Sequence, residues 1–99
     1  MTDPVTSAEL AELRVGLASP GCQIPAYMHT PLTDYVVAGK HPGGFLTAVL
    51  ENDLLRAVTC ADPDNFAAIR EWVRLLHNYL PRRCYGSASA VENWTQRKD

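Results

Sequence analysis

The 99-residue sequence predicts a small all-α domain of about five helices, built around an antiparallel helical hairpin of residues 45–60 and 62–80. Three observations support this. Apolar residues recur at spacings of three and four. Capping residues and Pro or Gly stops bracket each such run. No segment reads as a strand. A chain of this length closes one hydrophobic core, so residues 1–99 are expected to form a single domain, with 1–5 and 96–99 frayed.

Thr6 is placed to cap a first helix from Ser7 to Ala18, with Glu9 completing a capping box. Leu10, Leu13 and Leu17 form its apolar stripe, and Ser19-Pro20-Gly21 stops it. After an irregular stretch containing Pro25, Thr30 and Pro31 open a second helix that leaves through Gly39. Lys40-His41-Pro42-Gly43-Gly44 forms a loop. The third helix, 45–60, is the most apolar, with Leu46, Val49, Leu50, Leu54, Ala57 and Val58 suggesting a central position. Asp62 caps the fourth helix, with Pro63 at its first position and Asp64 near its positive dipole end. Phe66, Ile69, Val73, Leu76 and Leu80 give it a lengthwise apolar stripe, and Trp72 lies off that stripe. The short link between helices three and four makes them antiparallel neighbours. Pro81 ends the fourth helix, and Ser87 or Ser89 starts a last short one carrying Val91 and Trp94.

Composition is ordinary for a globular chain, with 46% apolar and 20% charged residues. A net charge of −2 argues against a general nucleic-acid binder. The charge is unevenly placed. Residues 1–65 carry eight acids and three bases (−5), whereas 66–99 carry three acids and six bases (+3). An electropositive face is therefore expected on a molecule that is acidic overall. The opening residues, MTDPVTSAEL, lack the features of a secretory signal, and the longest mostly apolar stretch is far shorter than the roughly 20 residues of a spanning helix. A soluble cytoplasmic protein with no membrane partner is expected. Cys22, Cys60 and Cys84 are odd in number and widely spaced, which fits reduced thiols acting as small apolar fillers.

Residues 32–54, LTDYVVAGKHPGGFLTAVLENDL, are followed by ADPDN at 61–65, HNYLP at 77–81, YGS at 85–87, then Val91 and Trp94. Together these resemble a family of small proteins encoded by bacteriophages and prophages. Its members share a Pro-Gly-Gly-Phe-Leu turn into a helix, an Asn-Asp pair, and a late aromatic-Gly-Ser before a terminal Trp. The likeness runs from about Ile24 to Trp94 and leaves the first helix outside. Tyr85 stands where the family carries Trp. The resemblance implies a phage context and supplies no catalytic residue.

Four residue sets are candidates for function. Gly43 and Gly44, with Lys40 and His41, could hold a phosphate or carboxylate on bare amides at a helix start, or serve only as a tight turn. No Walker-type string is present. Asn52 and Asp53 interrupt the third helix. With Arg56, His77 or a backbone amide as donor to Asp53, they are expected to form a structural polar tie that pins the hairpin register, in preference to an Asp53–His77 general acid/base pair that has no nucleophile beside it. Arg70, Arg74, Arg82 and Arg83 form the expected basic surface, suited to an acidic protein patch and less so to a phosphate backbone. The histidines and cysteines match no compact metal spacing, so neither a metal nor a cofactor is expected.

The function expected from these features is stoichiometric binding rather than catalysis. On this view the protein is a phage-encoded accessory factor that binds a host protein, and a component of antiviral defence such as a CRISPR effector is a candidate target. Two alternatives are a nucleotide- or small-anion-sequestering module and a helical nucleic-acid-binding regulator. Self-association into a homo-oligomer is a further expectation weighed for the exposed surfaces.

Overall fold

The computed structural model describes residues 4–96, among which seven α-helices and two 3₁₀ turns form and no strand does. In order these are α1 (Ser7–Ala18), a 3₁₀ turn (Ala26–Met28), α2 (His29–Ala38), α3 (Gly44–Leu50), α4 (Leu54–Cys60), α5 (Pro63–Ala67), α6 (Ile69–Tyr79), a 3₁₀ turn (Arg82–Cys84) and α7 (Ala88–Gln96). The all-α expectation holds. The fraying expected of residues 1–3 and 97–99 lies outside the described residues, whereas Val5 packs partly against the core and Gln96 ends α7. No helix among the described residues is long and apolar enough to cross a membrane.

Most caps are those the sequence indicates, but Thr30 does not cap α2: the helix starts at His29 behind Met28, which makes no side-chain capping bond, and Thr30 and Pro31 lie within its first turn. Thr6 and Glu9 form a reciprocal capping box, with the Glu9 amide donating to Thr6 Oγ1 (3.1 Å) and the Thr6 amide to Glu9 Oε1 (3.0 Å). Gly39 takes the left-handed exit from α2 at φ 68°. Asp62 caps α5 through the Asn65 amide (2.7 Å), and Ser87 Oγ accepts the Ala90 amide (3.1 Å) at the start of α7.

The long hairpin needs correcting. The segment 45–60 is two helices, separated at Glu51-Asn52-Asp53. The Asp53 amide donates back to the Ala48 carbonyl (2.9 Å) and the Asn52 amide to Val49 (3.1 Å), with Asn52 in the left-handed region at φ 63°. This pair of bonds is a Schellman closure. Asp53 then caps α4 by accepting the Arg56 amide (3.1 Å). The segment 62–80 is also divided, at Ala68 (φ −99°, ψ 10°). The two arms therefore do not pack along their whole length. α3 touches α6, with Phe45 meeting Trp72 edge to face at 5.9 Å, while α4 lies chiefly against α3.

Trp72, off the expected stripe, is fully buried, and Phe66 and Val73, on it, are exposed. The indole sets the rotation of α6. Its Nε1–H donates to Asn65 Oδ1 (3.1 Å), a side chain that is itself buried, so the ring is held inward by a satisfied polar contact as well as by Phe45. Trp94 is held in the same manner, donating to the Tyr35 carbonyl (2.8 Å) while the Tyr35 hydroxyl donates to the Cys84 carbonyl (2.6 Å). These bonds join α2, the second 3₁₀ turn and α7 inside the core. Gly86, at φ 116°, donates its amide to Leu50 (2.7 Å) and fastens the end of α3 to the same region. On the far side α1 lies on α6, where a methyl group on Gly16 would stand 2.7 Å from the Tyr79 ring.

The left-handed residue between α3 and α4 gives a direct test. Asn52→Gly is expected to keep or raise stability, and Asn52→Val to lower it by about 1–2 kcal/mol, read by urea unfolding.

Candidate functional site

Breaking the helix at Asn52 changes which residues reach solvent. α4 buries only Ala57, and its other apolar side chains, Leu54 (66% exposed), Leu55 (82%) and Val58, remain exposed. Val73 on α6 (58%) and Phe66 on α5 (57%) are exposed in the same way. A groove of about 70 Å³ opens between α4 and α6. Ala48, Val49, Ala57 and Trp72 line its base, and Leu54, Ile69 and Val73 its flanks, with Asn52 and Asp53 also part of the lining. Val49, Asn52 and Val73 are shared with an adjoining cleft of about 240 Å³ that also takes in Leu76, His77, Tyr85 and Gly86. The result is an elongated, mainly apolar depression next to an exposed apolar helix flank.

The charges around it are of both signs. Arg56 on α4 pairs with Glu51 (2.9 Å) and reaches Asp53 (3.5 Å). On α6, Arg70 and His77 lie three residues before and four after Val73, and hence on the same helix face. Arg70 is exposed and has no ion pair among the described residues.

The expected basic surface divides into parts with different roles. Arg74 pairs with Glu71 (3.5 Å) and lines a separate polar cleft between α1 and α6 with Gly16, Asn78 and Tyr79. Arg82 is exposed on the second 3₁₀ turn. Arg83 is turned inward. Its Nη1 and Nη2 donate to Glu9 Oε2 (2.9 Å) and Oε1 (2.7 Å), Nη2 also donates to the Pro4 carbonyl (2.9 Å), and the guanidinium lies 5.6 Å from the Trp94 ring centre. This bidentate, stacked geometry makes Arg83 a strap between α1 and α7 and corrects its place in the partner-binding set. Its hydrogen bonds, with those from the Thr6 cap, hold the Glu9 carboxyl down at about 2, against an ordinary value of 4.5.

The polar tie is made by Arg56, one of the donors the sequence offers for Asp53, and stays beside the turn instead of crossing to His77. Asp53 is satisfied locally by the amide and guanidinium of Arg56. His77 is exposed and shares only the lining of the adjoining cleft with Asn52, so no Asp53–His77 pair forms. A second long-range carboxylate contact that the sequence leaves unmarked, after Glu9 with Arg83, is made by Asp62. Its Oδ2 accepts the Tyr27 hydroxyl (2.5 Å) while Oδ1 caps α5, tying the first 3₁₀ turn to that helix. That bond pushes the Tyr27 phenol up to about 12 and lowers Asp62.

In the Lys40–Gly44 turn, the Gly43 amide donates to His41 Nδ1 (3.2 Å), and His41 Nε2 lies 3.4 Å from the Thr47 hydroxyl. With Nδ1 accepting, the neutral ring carries its proton on Nε2 and donates to Thr47. One of the amides expected to receive an anion is thus taken by the imidazole. Gly43 needs its φ of 93°, whereas nothing stands within 4 Å of a methyl group added at Gly44. Among the described residues, no three His, Cys, Asp or Glu side chains gather as a metal-binding set.

The Arg83 strap has a pH signature. A carboxylate whose folded value is depressed contributes stability above its unfolded value and loses that contribution as pH falls through its folded value. Glu9→Gln is therefore expected to cost about 1–2 kcal/mol at neutral pH, a range discounted because both partners are near 30% exposed. In urea unfolding at stepped pH, the gap between the two proteins should narrow below pH 4.5 and close near pH 2.

Comparisons of this chain with protein-family models, with curated proteins and with solved structures each found no match.

Proposed function

We propose that this protein acts by stoichiometric binding of another protein, and that the groove between α4 and α6 with its exposed flank is the docking face. The observation that carries this reading is the cluster of large apolar side chains, Leu54, Leu55, Val58 and Val73, left in solvent around a groove whose base reaches the core residue Trp72. Apolar surface rimmed by charge is the usual composition of a protein-binding patch. Arg70 supplies an uncommitted cation at its edge, so a partner with an apolar anchor and a nearby carboxylate fits best.

The resemblance to phage and prophage proteins supports a host protein as target, in the host cytoplasm, and extends to an antiviral defence component such as a CRISPR effector. The anion-binding alternative has less support, because His41 occupies the Gly43 amide and α3 is only seven residues long. The nucleic-acid alternative has less as well, because Arg83 is committed to Glu9 and Arg74 faces Glu71.

Affinity capture from a bacterial host lysate, with wild type, Leu55→Glu and Arg82→Glu compared side by side, tests the reading. One stoichiometric partner is expected with wild type and Arg82→Glu and not with Leu55→Glu. No partner from wild type, or equal recovery by all three, defeats it.

A further inference from the structure

We infer that, while no partner is bound, a second copy of this chain covers the α4–α6 face, giving a two-fold dimer in which Leu55 of each copy sits against the groove of the other. This deepens the proposed function by stating how its docking face is occupied at rest, and it rests on that reading only for the location of the face.

A two-fold interface has to be complementary to itself, so one patch must hold both a projecting part and the recess that receives it. This patch holds both. Leu55 projects from α4 with 82% of its surface open. One residue away, Leu54 lines the groove, and Val58 lies between the two on the helix surface. A two-fold axis close to α4 brings each Leu55 to the other copy's groove.

Charge selects the same arrangement. The α4 side of the groove carries Glu51 and Asp53 with Arg56 between them, a surplus of one negative charge, while the α6 side carries Arg70 without an ion pair. When α4 of one copy faces α6 of the other, the acidic side meets Arg70 twice, once on each side of the axis. A net charge of −2 per chain adds little repulsion.

The area places the contact at the small, weak end. Leu54, Leu55, Val58 and Val73 leave roughly 400 Å² open, against about 800 Å² per partner in a standard interface. Such a patch with its charged rim supports a dimer with a Kd of about 1–100 µM, weak enough for a tighter-binding partner to replace the second copy.

Sedimentation equilibrium of the purified full chain over roughly 1–500 µM tests the inference. The expected result is a reversible monomer–dimer equilibrium in that Kd range, shifted at least tenfold toward monomer by both Leu55→Glu and Arg70→Glu and unmoved by Arg82→Glu. Circular dichroism checks that each variant remains helical, and if Leu55→Glu loses helix, Val58→Lys takes its place. A chain monomeric throughout the range overturns the dimer, as does a dimer that these groove substitutions leave intact. Neither result bears on lysate capture, so a monomer that still captures its partner removes only the second copy. A dimer that captures nothing removes only the foreign partner.

Discussion

Leu50 is fully buried and Leu54 is two-thirds exposed, yet the two are four residues apart. On an unbroken helix they would share one face. The left-handed turn at Asn52 removes the conflict, and much of the rest follows from it. It lets α3 bury Phe45, Leu46, Thr47, Ala48 and Leu50 while α4 leans on the protein through Ala57. It also leaves the space between α4 and α6 unfilled. The apolar groove is thus a direct product of one backbone closure and the aspartate cap that follows it.

Much of the local structure is legible in the sequence because capping is local chemistry. Thr6 with Glu9, Asp62 with Pro63, Ser87 and Gly39 mark helix ends within a few residues of the groups they satisfy. The break at Asn52 is hidden because apolar spacing continues through it from Leu46 to Val58, and periodicity does not distinguish buried leucines from exposed ones. The Asn-Asp pair carries the signal, since Asn tolerates the left-handed region and Asp is a preferred cap. The candidate site was least legible where partners are remote. Arg83 adjoins Arg82 in sequence, but its carboxylate partner lies 74 residues away, so neighbouring arginines with unlike roles look equivalent. Trp72 is similar, its rotation being set by Asn65 and Phe45 rather than by the spacing of its own helix.

Four of the seven helices have fewer than ten residues, a length at which an isolated helix is marginal in water. Their persistence depends on bonds that cross between elements. Buried indoles donate to Asn65 and to the Tyr35 carbonyl, Tyr35 donates to Cys84, and Gly86 donates to Leu50. Unmaking any of these leaves a polar group stranded in an apolar setting, which costs more than the bond's net contribution when made. The fold is held by a few satisfied polar contacts set within a small apolar core.

α1 is pinned at two places, by Glu9 on Arg83 near its start and by Gly16 against Tyr79 near its end. The two pins are seven helical steps apart, a span of about 10 Å. Between them Leu13 is fully buried, so neutralising the carboxylate removes one hold and leaves two. The polar cleft beside Gly16 is thus walled by a helix that keeps its seat on α6 whatever the charge state of its first turn.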